Sequence, residues 1–259
     1  MSLTLTRLEQ SGFLLEADGV RVACDLYLSD HLERKYRGTD KPHVRLHPPT
    51  RDPRALTGLD WVFASHRHSD HLDPGSIRDV LAASPAATLV LPAPLVDYAR
   101  VELGVDERRL HGARPGEQVG PLTLVPAAHP HVGDEFLSAL VDVGGVRVFH
   151  SGDTLAFDEQ RQALARERPD VVLLPANGRV AEHLGTPPNM TLEEALDLAR
   201  ACGAPLVIPH HYDLFAFNSR DASDVARVLA ASGLPHRQLG PDDTIALRRV
   251  DGALRVEAS

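Results

Sequence analysis

Cysteine is scarce in this chain: there are two, Cys24 and Cys202, among 259 residues. Both sit inside apolar segments and neither belongs to a CxxC pair. This argues against a disulfide framework or a thiolate zinc site and for two buried thiols in a reducing compartment. Long apolar runs are missing too, and no stretch approaches the roughly 20 consecutive apolar residues of a membrane span. The opening residues, Met1 to Arg7, lack a basic segment followed by an apolar one, so no signal peptide is expected and the chain reads as cytoplasmic. Nor is there a broad basic face. With a net charge of −9, binding to a nucleic-acid backbone is not expected. The densest basic stretch, residues 31–54, mixes Arg34, Lys35, Arg37, Lys41 and Arg45 with acids and prolines. Two readings stay open there: a solvated loop, or a local wall for an anionic small molecule.

Hydrophobic content of 43% is enough for a sizeable core. Strand-like runs recur at 3–6, 13–16, 20–23, 61–64, 88–91, 122–125, 136–143, 146–149, 171–174, 206–208, 244–247 and 254–256. Ala17-Asp18-Gly19, Val143-Gly144-Gly145 and Val250-Asp251-Gly252 read as hairpin turns. Asp73-Pro74 starts a helix to about Ala83, and Thr191 to Glu194 is a capping box for a helix that Gly203 stops. Residues 94–103, 157–167 and 221–232 have helical apolar spacing. Early strands joined by hairpins and later strands alternating with helices suit two packed sheets with helices outside. No repeat or linker is evident, so residues 1–259 are read as one domain, with the proline-rich stretch around Pro42, Pro48, Pro49 and Pro53 a long loop within it.

Histidine is plentiful, at fourteen residues, and its placement is more informative than its number. Residues 65–74 read SHRHSDHLDP, directly after the apolar run 61–64. Buried imidazole and carboxylate are costly unpaired, and clustering them gains nothing unless something binds them. A divalent cation is the natural partner, since neutral imidazole is its commonest ligand. Further candidates, His129, Asp153 and His211, each follow a strand-like run, and strand ends can converge on one rim of a sheet. Seven ligands then divide into two sites. His66, His68 and His129 take one metal, Asp70, His71 and His211 take a second, and Asp153 bridges them. His131 reads as a loop side chain, and His210, beside the ligand His211, either supports the ligands from behind or is packed in the core. His150 either orients Asp153 or is simply packed.

HRHSDH at 66–71, with His129, Asp153 and His211, resembles the metallo-β-lactamase superfamily. That resemblance implies a four-layer αββα sandwich with a binuclear site on one edge. A narrower resemblance covers residues 25–30, 175–179, 189–195 and 208–218, which are similar to the L-ascorbate-6-phosphate lactonase branch. It implies a cytoplasmic, oligomerising hydrolase that uses two divalent metal ions, often manganese, on a phosphorylated sugar lactone. The nitrogen and oxygen ligand set itself accommodates Zn, Mn or Fe, with zinc the default for histidine-rich ligands.

The chemistry expected is attack of metal-activated water on an ester or lactone carbonyl, with Asp70 both ligating and accepting the proton. Arg179, which follows a strand, has a fork suited to phosphate, with Asn177 and Asn189 beside it and the Tyr212 hydroxyl pointing inward. The bland alternative pairs Arg179 with an acid such as Glu182 and leaves the asparagines as turn and capping residues. Competing functions on the same ligands are a phosphodiesterase or ribonuclease, a thioester hydrolase and a non-catalytic metal-binding module. The complete ligand set counts against the last.

Overall fold

The structure is a computed structural model and describes residues 2–258. β1 (Leu3–Arg7), β2 (Phe13–Ala17) and β3 (Val20–Cys24) form an antiparallel meander. The chain then passes through a short helix α1 (His31–Lys35) into β4 (Trp61–Phe63), which runs parallel to β3. α2 (Pro74–Ala83), β5 (Thr88–Pro92), α3 (Val96–Val101) and β6 (Leu110–Ala113) follow, again with parallel pairing. A second sheet begins with the antiparallel strands β7 (Gln118–Val119), β8 (Leu122–Ala128), β9 (Val132–Val143) and β10 (Val146–His150). It continues in parallel through α4 (Asp158–Glu167), β11 (Val171–Pro175), α5 (Leu192–Cys202) and β12 (Leu206–His210). After α6 (Ala222–Ser232), β13 (Thr244–Val250) and β14 (Ala253–Ala258) return to the first sheet beside β1. The sheet orders are β14-β13-β1-β2-β3-β4-β5-β6 and β12-β11-β10-β9-β8-β7.

Alternation along the strands decides the layering, because successive side chains point to opposite faces. Phe13 and Leu15 of β2 join Val171 and Leu173 of β11 in a core between the sheets. Leu14 faces the other way and packs with Ile77 and Val80 of α2. Val172 and Leu174 likewise turn outward against Leu192, Leu196 and Leu229 of α5 and α6. Helix, sheet, sheet, helix is therefore the order of layers, an αββα sandwich. The helix ends follow local chemistry. Asp73 accepts from the Gly75 and Ser76 backbone N–H groups, both at 3.2 Å, with Pro74 at the first helical position. Thr191 and Glu194 close a capping box, and Gly203 ends α5 at φ +66°. Among the described residues, no helix is long and apolar enough to cross a membrane.

Residues 31–54 depart from a plain solvated loop. α1 opens the segment and buries Leu32 against Tyr27, Leu214 and Phe215. Further on, the Leu46 N–H donates to Leu214 O at 2.9 Å and the Ala216 N–H to Val44 O at 3.1 Å, pinning the segment to residues 214–216.

Candidate metal centre

Four parallel or antiparallel strands deliver the site by their C-terminal ends. β4 leads through Ser65 into the turn 66–73, β8 ends at Ala128 just before His129, β10 runs into Ser151-Gly152-Asp153, and β12 ends at His210 just before His211. Two of these segments meet at Gly152. Its φ is +57°, and a Cβ there would lie 2.5 Å from the Ser65 Cβ, so only glycine lets the Asp153 turn close onto the His66 turn. His211 takes a left-handed φ of +58° and donates its N–H to Gln10 O at 3.0 Å, which swings its ring away from the strand direction.

The side chains converge in two groups. One is His66, His68, His129 and Asp153, the other Asp70, His71 and His211, and within each group one donor atom per residue lies within 4.8 Å of all the others. Asp153 sits between the groups. Its Oδ1 is 3.3 Å from His71 Nε2, and its Oδ2 is 3.4 Å from His211 Nε2 and 3.8 Å from His129 Nε2. Asp70 Oδ2 lies 3.4 Å from His211 Nε2 and 3.8 Å from His71 Nε2. His71 Nε2 and Asp153 Oδ1 are both buried and neither has a hydrogen-bond partner. Leaving buried polar atoms so exposed to one another costs roughly 1–3 kcal/mol each. A divalent cation among these nitrogens and carboxylate oxygens relieves that cost, and the donor set suits zinc, manganese or iron.

Protonation in the metal-free cluster follows position. Burial holds His66 well below its ordinary value and brings His129 down to about 4, so both imidazoles are neutral and able to ligate. Burial also pulls on His211, but the Asp153 and Asp70 carboxylates outweigh it and raise the group to about 9. The same competition raises His71, through Asp153, Asp25 and Asp70. A cation bound among these carboxylates takes the place of those protons.

Three rings are held with Nε2 facing inward. His129 Nδ1 donates to Pro188 O at 3.1 Å. His71 Nδ1 donates to Asp25 Oδ2 at 2.6 Å. His66 Nδ1 lies 3.0 Å from Ser65 Oγ, which donates to Asp25 Oδ2 at 2.7 Å. Asp25 thus orients two candidate ligands, one directly and one through a serine. It also accepts the Ser65 N–H at 2.7 Å and is fully buried. Asp25 falls within the 25–30 stretch of the narrower resemblance, but reasoning from sequence assigned it no role; its structural signal is its place just after β3, next to β4 in the sheet. Carboxylates behind metal-ligating histidines typically contribute 10–100-fold in affinity. Asp25→Asn is accordingly expected to weaken zinc binding by about that factor, measured by competition with a chromogenic chelator. Unchanged affinity would remove Asp25 from the centre.

Gln10 was not expected here either. Its Nε2 donates to Asp70 Oδ2 at 3.1 Å and lies 3.2 Å from His211 Nε2. His150 and His210 stack at 5.4 Å behind the site. His210 is tied to Ser11 Oγ at 2.9 Å and Ser151 Oγ at 3.1 Å, so it is a packed neighbour. His150 accepts the Gly152 N–H at 3.0 Å and donates to Ser11 O at 2.7 Å, which fixes the turn that carries Asp153. His131 is exposed and pairs with Glu135 at 3.2 Å.

A cavity of about 700 Å³ opens over the cluster. His66, His68, Asp70, His129, Asp153 and His211 form its floor, and Lys35, Tyr36, Lys41, His43, Phe136 and Phe217 stand on its walls. The substrate contacts read from sequence need correction against this geometry. Arg179 forks onto Glu194, the capping-box acid of α5, at 3.0 Å through both terminal nitrogens, and it is not on the cavity wall. Its partner is an acid, though Glu194 and not Glu182. The Tyr212 hydroxyl does not point inward. It donates to Leu239 O at 2.7 Å, while Arg7 covers the ring at 4.2 Å. Asn189 donates to Asn177 Oδ1 at 3.0 Å, and Asn177 Nδ2 reaches Asn218 Oδ1 at 3.4 Å. Of these three asparagines only Asn218 lines the cavity.

The family model for the beta-lactamase superfamily domain matches residues 29–212, which include six of the seven clustered side chains in their interior and His211 near its end. The chain belongs to the β-lactamase superfamily. Among its superfamily relatives, a UPF0173 metal-dependent hydrolase of Aeropyrum pernix is 28% identical over 251 residues, covering 89% of this chain and 91% of that one. A UPF0173 metal-dependent hydrolase of Archaeoglobus fulgidus is 27% identical over 243 residues, covering 90% and 93%. Of solved structures, the metallo hydrolase Igni18 of Ignicoccus hospitalis superposes with a TM-score of 0.69 at 24% identity over 96% of this chain and 100% of that one. An isothiocyanate hydrolase from Delia radicum gut bacteria gives 0.72 at 16% identity over 93% and 98%. Both superpositions establish the shared metallo-β-lactamase fold.

Proposed function

We propose that this superfamily member is a metal-dependent hydrolase whose two divalent ions are held by His66, His68, His129, Asp70, His71 and His211 with Asp153 between them. The supporting observation is the pair of donor groups, each within 4.8 Å, meeting at Asp153 on the floor of an open cavity. When bound, such ions polarise a carbonyl and bring the pKa of water close to neutral. The chain's own groups supply the rest. Asp70 is the base. It is 16% exposed, where the buried Asp153 is 5% exposed, so it is the carboxylate that can meet a water entering from the cavity. Gln10 holds Asp70 Oδ2 from behind and leaves Oδ1 for that proton. Phe136 and Phe217 dry the walls around the reacting carbonyl.

The substrate class proposed is an ester-type carbonyl, with a phosphorylated sugar lactone as the specific form suggested by the likeness of residues 25–30, 175–179, 189–195 and 208–218 to the ascorbate-6-phosphate lactonase branch. The UPF0173 relatives, themselves metal-dependent hydrolases, agree with the coarser reading. Sugar lactones, phosphodiesters and thioesters compared at fixed zinc or manganese test it. Hydrolysis of the lactones alone is expected, and Asp70→Ala is expected to lower turnover by about 10²–10⁴-fold, the usual contribution of a positioned base. Turnover of phosphodiesters but not lactones would overturn the substrate class, and full activity in Asp70→Ala would overturn its role.

A further inference from the structure

The chain contains two lysines, Lys35 and Lys41, and its other basic side chains of permanent charge are all arginines. Both lysines line the cavity over the metal-ligating cluster. Arginine serves throughout the rest of the molecule where a cation meets an acid, as at Glu9, Asp106, Asp142, Glu194 and Asp224. Among the described residues neither lysine is within ion-pair distance of a carboxylate.

Local structure brings the two ammonium groups to one wall. Leu32, Lys35 and Tyr36 lie three and four apart, hence on one face of α1 and the turn that follows it. Leu32 is buried and its N–H donates to the Tyr27 hydroxyl at 3.2 Å, which fixes that face toward the cavity. Tyr36 stacks on His43 at 4.6 Å with a 25° interplanar angle, and His43 Nδ1 donates to Lys41 O at 2.8 Å. The stack closes the 36–43 turn, Lys35 Nζ lies 5.1 Å from the centre of the Tyr36 ring, and both lysines line the cavity. Glu135, which lines the same cavity outside the His/Asp cluster, is engaged by His131.

We infer that Lys35 and Lys41 form an anion subsite that holds a phosphate or carboxylate substituent of the substrate at the cavity mouth while the scissile carbonyl lies over the His/Asp cluster. This assignment rests on the hydrolase reading above for what is cleaved, and replaces Arg179 as the group that selects for charge. Lysine suits the role because its flexible point charge can follow a mobile anion, where a guanidinium would demand fixed bidentate geometry. Chemical class is specified by this wall: a small anionic ester or lactone, in preference to a neutral one.

Two lysines make the test direct. Lysine carrying carbon-13 at Cε, incorporated into the whole zinc-loaded protein, gives two methylene signals, assigned with Lys35→Gln and Lys41→Gln. Both lysines are at least partly exposed, so these variants keep the fold. Glycerol 1-phosphate and glycerate, the phosphate and carboxylate arms, are titrated against glycerol. Both signals are expected to move with one or both anions and not with glycerol. The Kd is expected to rise about tenfold in each glutamine variant, the loss typical of one charge-assisted hydrogen bond, and to recover in Lys35→Arg or Lys41→Arg. Signals that stay fixed with both anions, or a Kd unchanged in the double glutamine variant, would overturn the subsite. Binding is read here without turnover. A failure therefore leaves the hydrolase reading standing, and lysine shifts in a protein that cleaves none of the carbonyl substrates would overturn that reading alone.

Discussion

Asp153→Ala is expected to leave a folded protein that retains less than half its metal and has lost turnover by at least roughly 10⁴-fold. The reasoning is geometric. Among the described residues Asp153 is the one carboxylate within 4 Å of an imidazole from each group, with His129 on one side and His71 and His211 on the other. In the two-ion arrangement proposed above, removing it would take an anionic ligand from both ions at once, whereas removing His68 or Asp70 would touch one. Each ion contributes several kcal/mol of charge stabilisation in the transition state, and about 5.5 kcal/mol corresponds to four orders of magnitude in rate. Metal content by atomic emission and kcat on the best substrate of the panel are the measurements. Asp153→Asn should fall between the variant and the parent, since the amide keeps one neutral oxygen. Two ions bound per chain in Asp153→Ala would show that Asp153 does not join the groups.

Much of the scaffold is visible in local sequence because its signals are local. Alternation from Phe13 to Leu15 reports a sheet with two covered faces, Asp73-Pro74 reports a helix start, and Asp251-Gly252 reports a hairpin whose strands pair from Ile245 to Ala258. β6 was not legible. Leu110-His111-Gly112-Ala113 has no apolar alternation, and its glycine is set by tertiary packing, since a Cβ at Gly112 would lie 2.5 Å from Val96 of α3. α1 was hidden for a similar reason: five residues rich in charge, held by the single buried Leu32. The seven clustered side chains were legible because each ends or follows a strand-like run and their residue types have one shared chemistry. The layer behind them was not. Asp25 acts on His71 across 46 positions and Gln10 on Asp70 across 60, and nothing in either local stretch encodes those distances. Arg179 shows the opposite failure. An arginine after a strand suits a phosphate, but a better-placed acid, Glu194, was already committed to capping α5.

Arg45→Ala is expected to destabilise the protein by about 3–5 kcal/mol, the usual cost of leaving one member of a buried ion pair uncompensated. Arg45 pairs with Glu9, and the side chains are 5% and 0% exposed. Glu9 also accepts the Thr50 N–H at 2.7 Å, and the Arg45 guanidinium lies 5.1 Å from the Tyr27 ring centre. At roughly 2–4 °C per kcal/mol for a chain of this size, the midpoint should fall by about 6–20 °C in thermal denaturation of metal-loaded protein. The pH dependence of the deficit has a definite sign. Burial raises the Glu9 carboxyl above its ordinary value, and Arg45 is the largest opposing influence. Without Arg45 the folded value rises further, so the carboxylate costs stability at pH above its unfolded value of about 4.5, and the cost fades as the pH falls toward that value. The difference between variant and parent should therefore shrink from pH 7 to pH 5, while Arg45→Ala combined with Glu9→Gln should recover part of the loss at pH 7. The pair joins two functional stretches. Residues 31–50 carry Lys35 and Lys41, and the turn after β1 carries Gln10, which touches Asp70. Loosening this pair should therefore also weaken glycerol 1-phosphate binding in the temperature range where the variant is still folded. A variant as stable as the parent at pH 7 would mean that Glu9 is already neutral and that the segment is held by its backbone contacts to residues 214–216.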